Sequence, residues 1–398
     1  MSAPLDGILV ADFSRVLAGP LATMTLADLG ATVVKVERPG LGDESRAWGP
    51  PWTEQGVSSY YESLNRSKYS VALDLTVADD LRRAVLLAGR ADVVVENHKP
   101  GSLARYGLDY VSVAETNPRV VYASITGFGD GPGRDRPGYD FLVQAVGGLM
   151  SVTGEADDEP TKVGAPLVDV LTGKDAVIGV LAALAARART GQGQQVRVEL
   201  LSSLLGGLVN QAAGYLTTGQ SPSRLGNVHP SVVPYQTLRC ADVPIAVACG
   251  NDGQFARLCQ TIGRAELSTD PRFVTNSDRV VNRPALEAEL ERALRTESAA
   301  AWEQRLSAVG VPAGLVGTVG EAVERAAALG LDPIIDVGAG RVPQVRHAVR
   351  YSVSRAAPPS PPPGLGEHDD LVSAWLDGPG DIPLARPLSA PRGDGTAR

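Results

Sequence analysis

The sequence predicts an α/β protein: a large domain built on a mainly parallel sheet, and a smaller α+β domain. Three observations carry this. Short β-branched runs alternate with stretches of helical period through the first half of the chain, the pattern of βαβ units. A Pro/Gly/Ser-rich stretch, TTGQSPSRLGNVHPSVVPY, interrupts the text near residue 222. A compact section rich in Ala, Leu, Glu and Arg then follows.

In chain order, GILVADFS reads as a strand, AGPLATMTLADLGA as a helix and TVVKVE as a strand. YSVALDLT is the next strand, ADDLRRAVLLAGRA a helix with apolar residues near 3.6 spacing, and ADVVVEN and RVVYASITGFG two further strands. The Ala/Leu/Val segment from Leu171 to Ala188 predicts a buried helix with a basic last turn and a Gly stop in RTGQGQQ. VRVELL is one more strand, and LLGGLVNQAAGYL a helix that leads into the Pro/Gly/Ser-rich stretch. A strand pair around TLRC and IAVACG, the helix GQFARLCQTIG and further helices follow, then YSVS, the Pro-rich APPSPPPGLG and an end, APRGDGTAR, expected to be disordered. The boundaries are 1–202 for the large domain, 203–234 for a crossing linker, 235–325 for the small domain and 326–398 for a return segment. In a sheet of this kind ligands sit at the carboxyl ends of strands. That directs attention to Arg38-Pro39-Gly40, Asn97-His98-Lys99 and the glycine-rich stretch from Gly127 to Asp140.

Composition excludes several classes. With 43% apolar residues the chain has material for a sizeable core, yet no run long enough to span a bilayer. The start, MSAPLDGILVADFS, lacks the basic flank and apolar core of a signal peptide, so a cytoplasmic protein without membrane partners is expected. A net charge of −8 disfavours nucleic acid while leaving room for a local basic groove. Cys240, Cys249 and Cys259 have no metal-ligand spacing and read as buried apolar residues. His98, His229, His347 and His368 are far apart in sequence, so no metal is expected. No G-x-S-x-G elbow, P-loop or G-x-G-x-x-G appears.

Taken in order, DFSRVLAGPLATMTLADLGATVVKVERP, SKYSVALDL, VVVENHKPGSLARYGLDY, YASITGFGDGPGRDRPGYDFLVQAVGGLMSVTG and RTGQGQQVRVEL form a string of motifs. Each is weak alone; jointly, with GNVHPSVVPYQ, NDGQFARLCQTIGR, TDPRFVTNSDRVVNR and GLGEH, they cover nearly the whole chain. The chain resembles the family III CoA-transferases, which include formyl-CoA transferase, carnitine CoA-transferase and, as a sister branch, α-methylacyl-CoA racemase. The resemblance implies a Rossmann-like large domain made from both chain ends, a small domain inserted between them, and two chains interlocked as a homodimer. It implies acyl-CoA and a small carboxylic acid as substrates, with coenzyme A the group that moves.

On spacing alone Asp169 in GAPLVDVLTG has two readings, a cap placed just before the buried helix or a sheltered carboxylate nucleophile. The resemblance implies the second: CoA transfer through an aspartyl-acyl anhydride and an aspartyl-CoA thioester. It also implies cofactor contacts from Val16, Arg38, Asn97, His98, Lys99, Arg105, Tyr139 and Asp140. His98 stands where the family often has Phe, so base stacking is weaker there or uses the imidazole. Asp140 has a second reading as a loop-orienting Asx residue, and Lys68 lies either near the cofactor or on the surface.

Tyr139 occupies the position where the racemase branch carries a histidine. An unperturbed tyrosine, with a pKa of about 10, is a poor base for a carbon acid near neutrality. That favours transferase over the alternative, a racemase-type isomerase, and the retained Asp169 argues against a CoA-binding module without chemistry. The formyl-CoA transferase branch carries a glycine run in the small domain where this chain has GNVHPSVVPYQ, which puts formyl and oxalate in doubt and points toward dicarboxylates such as succinate or larger acyl groups. Asn227 and His229 either reach the acyl group or fix an extended linker.

Overall fold

The computed structural model describes residues 2–356 and 358–378; the expected disordered end, APRGDGTAR, lies outside the described residues. The architecture is mixed α/β, and the chain forms two compact units. One comprises Met1–Gly147, Val163–Ala213 and Asp332–Arg398, and the other Gly148–Lys162 and Gly214–Leu331. Residues 148–162, which the sequence reading places inside 1–202, therefore group with the smaller unit.

The larger unit is organised by six parallel strands: β1 (Leu9–Asp12), β2 (Thr32–Glu37), β3 (Lys68–Ala72), β4 (Val93–Glu96), β5 (Val121–Thr126) and β6 (Gln194–Glu199). Their order is β3-β2-β1-β4-β5-β6. Chain progression reverses between β1 and β4, which makes that junction the switch point where ligands are accommodated. Helices α1 (Ala18–Asp28), α2 (Ser59–Asn65), α3 (Ala78–Arg90), α4 (Tyr110–Thr116), α5 (Asp140–Val146), α6 (Leu167–Thr190) and α7 (Leu200–Gly207) complete it, with α8 (Val209–Thr218) running on from α7. The central strands are continuous apolar runs because a parallel sheet is covered on both faces; Val10, Ala11, Val33, Val34, Val93, Val94 and Val95 are fully buried.

Two departures from the sequence reading concern the long helix. It spans Leu167–Thr190, so it begins before Leu171 and includes Asp169 in its first turn. It is also not buried all round: Val168, Thr172, Ala176, Val180 and Ala183 face inward, while Ile178 is exposed. Its C-terminus is as expected, with Arg187 and Arg189 in the last turn and Gly191 left-handed at φ +74°. Gly173 is required where α6 meets the start of α1, since a Cβ there would stand 2.8 Å from Ala18 O.

The smaller unit has an antiparallel sheet of β7 (Tyr235–Arg239), β8 (Pro244–Ala248) and β9 (Ala313–Leu315) with helices α9 (Asp252–Thr261), α10 (Asn276–Val281), α11 (Arg283–Leu294), α12 (Ala299–Ala308) and α13 (Val319–Ala328). Cys240, Cys249 and Cys259 are buried in its core, and burial pushes their thiols up to about 11, 12 and 12. The fully buried Arg279 donates to Val233 O at 2.7 Å and Phe273 O at 3.0 Å and pairs with Asp252 at 2.7 Å. After a short β10–β11 pair (Ile334–Ile335 with Gln344–Val345), the return segment ends in α14 (Asp369–Asp377), whose Val372, Trp375 and Leu376 join the core beside α3. Among the described residues no helix is long and apolar enough to cross a membrane.

Candidate active site

The carboxyl ends of the strands open into two cavities on either side of the switch point. One, of about 360 Å³, is lined by Arg15–Ala18 after β1, Asn97–Pro100 after β4, the loop from Thr126 to Tyr139 after β5, and Asp169. The other, of about 810 Å³, is lined by Arg38, Leu41 and Asp43 after β2, Asp74–Thr76 after β3, and Arg105 and Tyr106. Arg15 and His98 belong to the walls of both.

Of the residues expected at the site, Val16, Asn97, His98, Lys99 and Tyr139 come together with Asp169 in the smaller cavity. Arg38 and Arg105 are in the larger one. Asp140 lines neither. Its Oδ1 instead accepts the N–H groups of Val168 at 2.8 Å and Asp169 at 3.2 Å, and its Oδ2 accepts from Gln144 Nε2 at 2.6 Å. Two donors at the start of α6 are thereby satisfied from another helix. That is why α6 begins earlier than its own sequence suggests, with Pro166 as an N-cap residue that offers no side-chain acceptor. Asp169 is the residue being capped, not the cap.

The Asp169 carboxyl is lifted from its ordinary 3.8 to about 7, first by burial and then by the like charge of Asp140. Tyr60 of α2 lies within reach of the same field; its phenol is pushed up by burial and by the charges of Asp169, Asp140 and Asp43. Its ring meets Trp48 edge-on at 5.1 Å. Sequence reasoning missed both aromatics: SSYYESLN carries no strong periodicity, and only the fold brings α2 toward Asp169.

The segment after β4 is shaped by its own hydrogen bonds. Glu96 is buried, which raises its carboxyl to about 7, and it accepts the His98 N–H at 2.8 Å. Asn97 spends both ends of its amide on one residue, accepting from Arg15 N at 2.9 Å and donating to Arg15 O at 2.7 Å. His98 is neutral at physiological pH, since burial and the nearby Arg15 charge bring it down to about 4. Its Nε2 donates to Phe13 O at 3.0 Å, so the imidazole is engaged with backbone rather than left free for a base. Lys99 reaches the rim and pairs with Asp135 at 2.9 Å, both exposed. Lys68 is neither at the cavity nor on the surface: fully buried, it donates to Pro20 O at 3.0 Å and Asn65 at 2.9 Å and pairs with Asp12 at 3.2 Å.

The glycines of the β5 loop have a steric cause. A Cβ on Gly127 would stand 2.6 Å from the Gly138 Cα, so the two ends of the loop touch through glycine alone and bring Tyr139 back beside β5. Val16 stands opposite this economy. It is β-branched yet holds φ +70°, a region that strains such a residue by ~1–3 kcal/mol.

The smaller cavity thus presents one half-buried carboxyl with four basic side chains, Arg15, Lys99, Arg134 and Arg136, in its walls. The larger adds Arg38 and Arg105, with Arg105 stacked over Tyr106 at 4.6 Å. Chemically this is a sheltered carboxyl beside two cavities with basic side chains in their walls. Asn227 and His229 lie in the smaller unit, where the His229 ring packs on Tyr235 at 5.1 Å and Asn227 Nδ2 is 3.4 Å from Thr237 Oγ1.

Comparison with known proteins gives a consistent result. The model for CoA-transferase family III matches residues 5–369. A succinate–glutarate CoA-transferase of Agrobacterium fabrum is 41% identical over 388 residues, covering 94% of this chain and 96% of that protein. An acetyl-CoA:oxalate CoA-transferase of Acetobacter aceti is 42% identical over 321 residues, 80% of this chain and 82% of its own length. The crystal structure of a CAIB/BAIF family protein from Brucella suis superposes with a TM-score of 0.84 at 43% identity, over 95% of this chain and all 100% of that one.

Proposed function

The chain belongs to CoA-transferase family III, and on that premise we propose that this CoA-transferase works through Asp169 as nucleophile, with dicarboxylates among its acyl groups. The observation that carries the reading is the half-buried Asp169 carboxyl at the end of a cation-lined cavity. The carboxylate attacks the thioester carbonyl, the C–S bond breaks, and an aspartyl-acyl anhydride and CoA thiolate result. The thiolate then attacks the Asp169 carbonyl of the anhydride, releasing the donor acid and leaving aspartyl-CoA thioester. An acceptor carboxylate attacks that thioester to give a second anhydride and thiolate. Attack of the thiolate on the acceptor's acyl carbonyl yields the new acyl-CoA and frees Asp169.

Arg38 and Arg105 suit the diphosphate and 3′-phosphate of CoA, and the field of Arg38 also reaches Asp74 in the same wall. The chain from phosphates to thioester would pass the shared wall at Arg15 and His98 to reach Asp169. Val16 and Tyr139 then flank the thioester end. The names of the relatives favour a dicarboxylate, whose distal charge the basic walls of the smaller cavity would accept. A homodimer is supported by an apolar cavity of about 790 Å³ between α1, α6 and residues 342–351, beside the exposed Ile178.

The test is intact-mass spectrometry after incubation with succinyl-CoA, with and without hydroxylamine. A hydroxamate located on Asp169 is expected, and its absence while transfer to an added acid proceeds would overturn the nucleophile assignment.

A further inference from the structure

The turn from Ser14 to Val16 is gripped residue by residue. Ser14 N–H donates to Asp12 at 2.9 Å, and Ser14 C=O accepts from Lys35 Nζ at 2.8 Å. Arg15 is clamped at both N and O by Asn97. Val16 N–H lies 3.2 Å from each oxygen of Asp43. Asp43 is itself held by Lys35 at 2.9 Å, with both side chains fully shielded from solvent, and by Ser45 N at 2.9 Å and Ser45 Oγ at 2.8 Å. The buried pair has opposite signs and several donors, so each charge is satisfied.

A valine left to itself abandons φ +70° for the β region, because its branched Cβ crowds the backbone there. Something must hold it, and the contact on its N–H is Asp43. We propose that Lys35 and Asp43 are positioning residues for CoA transfer: from beneath the sheet end they hold Val16 left-handed, and so fix the wall that faces the reacting thioester in the Asp169 cavity. Neither touches the reacting atoms. A buried pair retained only for stability would have no reason to end on the one strained residue of the cavity wall. This inference rests on the CoA-transfer reading.

The test is a coupling measurement on the full chain. Lys35→Met/Asp43→Ala removes both buried charges together, so no charge is stranded, and Lys35→Met/Asp43→Asn does the same while keeping an oxygen for the Val16 N–H. Val16→Gly is measured alone, to divide out the loss of the isopropyl group, and in both backgrounds. The Ala pair is expected to lower kcat at least about tenfold with KM for succinyl-CoA changed by less than about threefold. The Asn pair is expected to lose clearly less at a similar melting temperature. Adding Val16→Gly to the Ala pair should recover at least about fivefold relative to the product of the separate effects, since glycine adopts φ > 0 without being held. Additive effects, or a kcat that simply follows the melting temperature, would overturn the proposal. Absence of exchange in the unaltered protein would instead count against the CoA-transfer reading, and the two failures are therefore distinct.

Discussion

Replacing Asp140 by Asn probes how the fold tunes Asp169, the proposed nucleophile. In the native site Asp169 titrates near 7 instead of 3.8, a difference of about 4 kcal/mol against the carboxylate. Burial is the larger cause and the Asp140 charge the smaller. A like charge beside a half-buried carboxyl contributes on the order of 1.4 kcal/mol, or about one pH unit. Asparagine keeps an oxygen for the N–H groups of Val168 and Asp169, so α6 still starts where it does. The lost acceptor faces Gln144 Nε2, which costs about 1–2 kcal/mol of stability without bearing on the titration. The sign follows from the chemistry: only the carboxylate attacks, so kcat/KM rises with pH through the Asp169 pKa, and deleting a neighbouring negative charge moves that acid limb down. The assay is CoA exchange between acyl-CoA and free acid from about pH 5 to 9, in which kcat/KM reports the free enzyme. The limb is expected near 7 in the native protein and about one unit lower in Asp140→Asn. A limb that stays put, or moves up, would refute the argument that Asp140 acts on Asp169 through its charge.

Three further outcomes are expected. Asp169→Asn should abolish exchange yet stabilise the fold at pH 8: a carboxyl whose folded pKa is raised contributes its full stability below about 4 and loses it as pH rises through 7, so melting temperatures should differ at pH 8 and converge near pH 4. Arg38→Ala and Lys99→Ala should each weaken CoA binding roughly ten- to a hundredfold and flatten its salt dependence, measured by calorimetry; dephospho-CoA identifies which cation serves the 3′-phosphate, and unchanged affinity in both variants would move the phosphate site elsewhere. With a 2-methylacyl-CoA in deuterated water, CoA should pass to an added acid without α-deuteration, because Tyr139 stands where the racemase branch has its histidine; rapid deuteration without transfer would favour the racemase branch.

Much of the order of elements was legible before any coordinates. The runs LVAD, TVVKVE and VVVE are apolar because both faces of a parallel sheet are covered, and that burial shows in composition. The resemblance carried by the motif string pointed to Asp169 and Tyr139, and the polar text after β4 pointed to the Asn97–Lys99 segment; the fold gathers them around one cavity. Short helices such as α2 and α5 were not legible, because seven residues hold too few periods to rise above noise.

What the sequence determined by itself is therefore local and periodic: which segments are strands, where they end, and which acids and bases follow them. What only the tertiary structure decided is the state of those groups. Asp140 caps a helix that begins 27 residues later than it does, Asn97 serves the backbone of Arg15, and Asp43 reaches Val16 across the ends of β1 and β2. A carboxylate's pKa and a valine's left-handed turn depend on which charges and donors stand within a few ångströms. Chain neighbours supply few of these, because burial and long-range pairing set the local dielectric and the hydrogen-bond partners only once the sheet has assembled.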